Sequence, residues 1–109
     1  MDNIKDDTYY LEKMKTNFER IKHVMKNTSY DDYINNLDLQ EITMFNLIQI
    51  SENVNKISLN FKNSNNSIPW SDIYGLRNRI VHDYGNVVLD VVYQTLRKDI
   101  PDLYKKLYK

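Results

Sequence analysis

The sequence predicts an all-α protein, an up-and-down bundle of four to five helices. Apolar residues recur at three- and four-residue spacing along most of the chain. No stretch alternates apolar and polar residues with turn signals at its ends, so no sheet is assigned. Polar and proline-bearing segments divide the helical patterns from one another. With 109 residues the chain is one domain, residues 1–109, large enough for a single core and without internal repeats.

Leu11, Met14, Phe18, Ile21 and Met25 mark an amphipathic helix from about Asp6 to Lys26. Asn27–Asp32 reads as a loop ending in capping residues. A second helix is expected from either Asp31 or Asp38 to Phe61. Ile42, Phe45, Ile48 and Glu52 follow one stripe of it, and Met44, Leu47, Ile50, Val54 and Ile57 a neighbouring one. So wide an apolar arc needs burial on more than one side, which in a small protein points to a second subunit. Lys62–Ser67 is the clearest loop. Pro69 and Ser71 then open a third helix, capped by Ser71 or Asp72 and burying Ile73, Leu76 and Ile80. Gly85 stands where a left-handed helix cap is expected. A fourth helix starts near Val87 and buries Leu89, Val92 and Leu96. Pro101 is expected to interrupt it before a last short turn, Leu103 to Tyr108.

Lysine plus arginine and aspartate plus glutamate both number 15, so net charge makes no case for a polyanionic partner. The charge is uneven: residues 27–70 hold five acids and two bases, residues 71–109 five acids and seven bases. A nucleic-acid site would have to be local, or built from two chains. The absence of cysteine removes disulfides and thiolate metal sites. No apolar run serves as a signal peptide or approaches the roughly 18 residues of a membrane span, so a soluble cytoplasmic protein is expected.

Functional groups concentrate in Tyr74–Asn86. Both glycines, two of the four arginines (Arg77 and Arg79) and one of the two histidines (His82) fall there. A helix needing only a buried and a solvated face has no use for such a cluster. At about 100° per residue, Asn78 and His82 share a face, and the long Arg77 side chain reaches toward the same groove. Tyr84 follows at the point where the helix is expected to unwind. Arginine offers a permanently charged, forked donor set suited to phosphate. Histidine, with an unperturbed pKa of about 6.5, takes and gives protons near neutrality. These parts suffice for metal-free RNA cleavage: the imidazole takes the proton of a ribose 2′-hydroxyl, and the guanidinium steadies the charge on the attacked phosphate. Spacing alone is a weak signal, because many helices carry Arg and His five residues apart.

The segment Ile68-Pro-Trp-Ser-Asp-Ile-Tyr-Gly-Leu-Arg-Asn-Arg-Ile-Val-His-Asp-Tyr84 resembles the signature region of the HEPN superfamily, and within it the HepT-like toxin branch. The branch pattern of Arg, a polar residue, three more residues, His, any residue and Tyr falls on Arg77, Asn78, His82 and Tyr84. The similarity runs from about Leu37 to Leu107, taking in Leu47–Asn53 upstream and Val87–Val92 and Asp99–Leu103 downstream. Where relatives often place an aromatic residue after the tyrosine, this chain goes straight to Gly85-Asn86. The resemblance implies a HEPN-like bundle forming a symmetric homodimer, with two motifs facing a shared cleft. It implies a metal-independent endoribonuclease needing no cofactor, with Arg77 and His82 catalytic and Asn78 in support. It also implies the toxin of a type II or VII toxin–antitoxin pair, whose minimal nucleotidyltransferase antitoxin transfers AMP to Tyr84. The alternative within the superfamily is a non-catalytic module that binds a nucleotide or docks a nucleotidyltransferase.

Other residues carry lesser expectations. Gly75 reads as a point where two helices approach closely. Arg79 either touches RNA phosphate or is a solvated base. Gln49 and Glu52 either orient the motif or make a structural polar contact. Trp70 is expected to plug the core, His23 to lie on the surface, and most of the nine tyrosines to pack with their hydroxyls at the rim.

Overall fold

Helix α1 (Asp7–Met25) begins where the Asp6 carboxylate accepts the Tyr9 N–H at 3.1 Å, satisfying one of the donors a helix start leaves open. In the computed structural model, which describes residues 6–82 and 88–108 with backbone alone at 77, 79, 81 and 82, α1 buries Met14, Phe18, Ile21 and Met25. This is the expected stripe; Leu11 at its edge is only partly buried. Asn27 then turns the chain with φ 61°, a conformation asparagine tolerates better than most residues.

The expected loop Asn27–Asp32 is partly helix. Ser29 and Asp32 form a capping box, each side chain accepting the other's backbone N–H, and start α2 (Tyr30–Ile34). That short helix drives Tyr33 into the core, where its hydroxyl lies 2.8 Å from that of Thr43. Desolvation raises the Tyr33 phenol above its ordinary pKa, and the bond to Thr43 opposes this only in part.

The long second helix is also shorter than expected. α3 (Leu37–Val54), capped by Asn36, ends seven residues before Phe61. The stretch beyond Val54 is rich in side chains that compete for backbone groups, and the turn tightens there, with Lys56 N–H reaching the Asn53 carbonyl and Ile57 N–H that of Val54. Ser58 then caps a separate helix, α4 (Leu59–Ser64), by accepting the Phe61 N–H at 3.1 Å. Its own N–H and hydroxyl donate to the Asp7 carboxylate at 2.7 and 2.6 Å, which holds that carboxyl below the usual range. The polar loop is correspondingly shorter.

α5 (Trp70–His82) starts one residue before the expected cap, with the Pro69 carbonyl accepting the Ile73 N–H. Trp70 is partly buried rather than a core plug: its ring meets Phe61 edge-on at 6.0 Å and its N–H reaches the Asn65 carbonyl.

Pro101 does not interrupt the last helix. α6 (Leu89–Gln94) passes through five π-helical residues, Thr95–Asp99, directly into α7 (Ile100–Leu107). A proline inside an α-helix lacks a donor and crowds the carbonyl four residues back. Here the Ile100 N–H reaches back five residues to Thr95, and the widened turn lets Pro101 sit in the first turn of α7.

Four long rods result, with α2 and α4 as short connectors. α3 lies between α1 and α5, α1 also packs on α7, and α2 joins α3 to α6. Paired contacts fix the directions. Asp7 meets Ser58 and Asn17 meets Asn46, so α1 and α3 run antiparallel. The Tyr104 hydroxyl reaches Glu19 and the Tyr108 hydroxyl the Leu11 carbonyl, so α7 also runs against α1. Among the described residues there is no strand. None of their buried side-chain polar atoms lacks a partner.

Candidate active site on the fifth helix

α5 is set against α3 by polar and apolar contacts. Ser51, with no exposed surface, donates its hydroxyl to the Tyr74 carbonyl at 2.7 Å. Ile73 and Ile80 are buried beside it. These contacts fix both the depth and the rotation of α5.

The rotation decides where the motif lies. At about 100° per residue, positions 75, 78 and 82 stand roughly opposite the Ile73–Ile80 stripe. Tyr74 and Asn78 are exposed, as that phase requires. Arg77, Asn78, Arg79 and His82 therefore share the last two turns of one helix that is anchored from behind. Tyr84 and Gly85 lie outside the described residues.

Gly75 does not mark a close approach of two helices. A Cβ built there meets nothing within 4 Å. Instead it leaves bare surface one turn before Asn78, on the outward face. The cost of glycine in a helix, up to about 1 kcal/mol against alanine, is thus not offset by packing among the described residues.

Gln49 and Glu52 sit half-buried on α3, the helix behind the motif. The Gln49 carbonyl accepts the Asn53 side-chain amide at 2.9 Å. His23 is exposed. A groove of about 240 Å³ between Asp72–Leu76 and Ile100–Leu103 lies on the other flank of α5, away from Asn78. Among the described residues, no three His, Asp or Glu side chains gather as metal ligands, and no helix is long and apolar enough to cross a membrane.

The sequence reading passed over Ser51. It stands in the most apolar stretch of α3, and nothing in its spacing from Tyr74 reveals the bond. Its only signal is a small hydroxyl in the middle of a buried stripe.

A family model described as "Ribonuclease HepT-like" matches residues 14–109. A protein of Caldanaerobacter subterraneus subsp. tengcongensis, named for an inferred RNase activity, is 28% identical over 98 residues, covering 90% of this chain and 88% of its own. One from Methanocaldococcus jannaschii, similarly named, is 30% identical over 84 residues, 77% of this chain and 69% of its own. A protein of Thermococcus cleftensis named a probable ribonuclease HepT is 28% identical over 100 residues, 92% and 91% of the two chains. No solved structure matches significantly.

Proposed function

Because this chain belongs to the HepT-like ribonuclease family, with which it matches over residues 14–109, we propose that it is an endoribonuclease that cleaves RNA without a metal ion, through Arg77, Asn78 and His82. The observation that supports the proposal is the rotation of α5, which leaves Asn78, one helical turn before position 82, in solvent and backed by a buried anchor at Ser51.

In this reading the His82 imidazole removes the proton of a ribose 2′-hydroxyl. The oxygen attacks the adjacent phosphorus, and the Arg77 guanidinium pairs with the non-bridging oxygens as charge accumulates there. The bond to the 5′-oxygen breaks, leaving a 2′,3′-cyclic phosphate on one fragment and a 5′-hydroxyl on the other. Asn78 holds the phosphate or the imidazole in register. Arg79 adds a phosphate contact.

Among the described residues nothing lies within 4 Å of a Cβ built at Gly75, so the outward face of α5 is open there. A second copy would close it. Ile42 and Phe45 on α3 remain 41% and 56% exposed, an apolar surplus that a two-fold partner would cover. The active species is then a symmetric homodimer with two motifs around one cleft.

The resemblance to HepT-like toxins supports, in addition, a partner that silences the enzyme. The proposed one is a minimal nucleotidyltransferase antitoxin that attaches AMP to Tyr84, two residues beyond His82. The added anion pairs with Arg77 and fills the space of the RNA phosphate.

The test is digestion of total RNA by the purified protein in EDTA, with analysis of the fragment ends. The proposal expects undiminished cleavage and cyclic phosphate termini. Cleavage lost in EDTA and restored by a divalent ion would refute it.

A further inference from the structure

A second groove, of about 460 Å³, lies between α1 and the end of the molecule formed by the π-helical turn and α7. Its floor is apolar, with Ile100 buried and the Tyr104 ring partly exposed. Four cations among the described residues line it: Lys22 from the last turn of α1, Lys26 just after that helix, Arg97 from the π-helical turn, and Lys105 from α7. Among the described residues no carboxylate lines it. In a chain whose formal charge is zero, such a cluster marks a departure from the average. The acids of the π-helical turn and α7 go elsewhere: Asp99 and Asp102 border the smaller groove toward α5, where Asp102 pairs with Lys106 at 3.2 Å.

Arg97 is held in place without a carboxylate. Its Nε donates to the Tyr93 hydroxyl at 3.1 Å, its Nη2 to the Thr28 carbonyl, and its guanidinium stands 5.4 Å from the centre of the Tyr93 ring. The π-helical turn from which it projects is a rare geometry, often found at functional sites. Tyr104 is likewise fixed, edge-on to Phe18 at 5.8 Å and with its hydroxyl on Glu19.

We propose that the groove between α1 and α7 is a secondary binding site for single-stranded RNA, in which Lys22, Lys26, Arg97 and Lys105 hold consecutive phosphates of a strand whose bases lie toward Ile100 and Tyr104. Charge complementarity favours this occupant: cations with no carboxylate among the described lining residues, set around an apolar floor, match a polyanion that carries a flat apolar surface on every unit. The inference rests on the ribonuclease reading, and gives that enzyme a grip on its substrate distinct from the cleaving face of α5. Long RNA would then bind better than fragments able to reach only α5.

The experiment measures binding of fluorescein-labelled oligouridylate by anisotropy across a salt series, on the full-length chain. K22Q/K26Q/K105Q is compared with K98Q/K106Q, which removes charge from the same helical rod outside this groove. The groove variant should bind at least about tenfold more weakly, and its log–log salt slope should fall by about two, as expected for three lost phosphate contacts on a single strand. The control pair should stay near the parent. Equal weakening by both variants, or none by the groove variant, overturns the proposal; the latter would be the result if an acidic protein helix were the true occupant. Circular dichroism establishes that each variant is folded, and Lys105→Gln alone, expected to reduce the slope by about 0.7, serves if the triple variant is not. Cleavage by the parent protein is scored separately: failure to cut RNA tells against the ribonuclease reading, whereas cutting with an unchanged groove variant tells only against this site.

Discussion

The Ser51 hydroxyl of α3 donates to the Tyr74 carbonyl of α5 at 2.7 Å, one helical turn ahead of Asn78. In a regular helix that same carbonyl also receives the Asn78 N–H. A buried residue on one helix thus grips the backbone group that locates a candidate active-site residue on the next. Ser51→Ala should cost about 1 kcal/mol, the net worth of one such bond, and lower the melting temperature by roughly 4–8 °C. Thermal denaturation checks this; an unchanged midpoint would show that apolar packing alone sets α5.

Tyr33 makes stability pH-dependent on the alkaline side. Burial raises its folded-state pKa above the unfolded value of about 10, and burial raises that of Tyr108 as well. As pH climbs past 10 the unfolded chain loses these protons first, so stability present below pH 10 declines above it. Tyr33→Phe should cost about 1 kcal/mol at neutral pH through loss of the bond to Thr43, yet show a shallower alkaline decline. Urea titrations at neutral and alkaline pH measure both effects. Parallel declines in parent and variant would mean that Tyr33 is not the titrating group.

Much of this architecture was legible in the spacing of apolar residues. The stripes of α1 and α5 and the Met44, Leu47, Ile50 and Val54 stripe of α3 face the core as expected, because helical periodicity reports which face is buried, whereas the neighbouring stripe of α3 leaves Ile42 and Phe45 exposed. The misread boundaries share one cause. Ser29, Asn36, Asn53 and Ser58 bond locally to the backbone, and whether such residues fill a loop or cap a helix depends on a partner elsewhere, such as Asp7 for Ser58. Pro101 misled because a π-helical turn has no simple sequence signature. Gly75 was assigned to helix packing, but the space beside it is empty, a fact that only the three-dimensional arrangement supplies. The residues of the candidate site could be named from the window Tyr74–Asn86; the exposed face that Asn78 occupies could not be known without Ile73, Ile80 and Ser51.

A homodimer is the expected species in solution. Sedimentation at micromolar concentration should give the mass of two chains. Phe45, 56% exposed on α3, is expected to lie in the contact, so Phe45→Glu should release folded monomers with greatly reduced RNA cleavage. A single-chain mass for the parent protein would oppose both the dimer and a composite cleft.

Tyr84 is expected to accept AMP rather than move protons, since a phenol with a pKa of about 10 is a poor general base near neutrality. Tyr84→Phe should retain at least part of the ribonuclease activity while escaping silencing by the nucleotidyltransferase. Mass spectrometry of the co-expressed pair locates the modification. AMP found only on Tyr74 or Tyr93 would mean the assignment is wrong.

The central claim is that the end of α5 cleaves RNA, and its most direct measurement is the rate at which purified His82→Ala cuts RNA beside the parent protein. Loss of the proton-transfer group should slow cleavage by about a hundredfold or more, with helical content and melting temperature little changed. Arg77→Ala should behave in the same way through loss of charge stabilisation. A folded His82→Ala protein that cuts as fast as its parent would contradict the account.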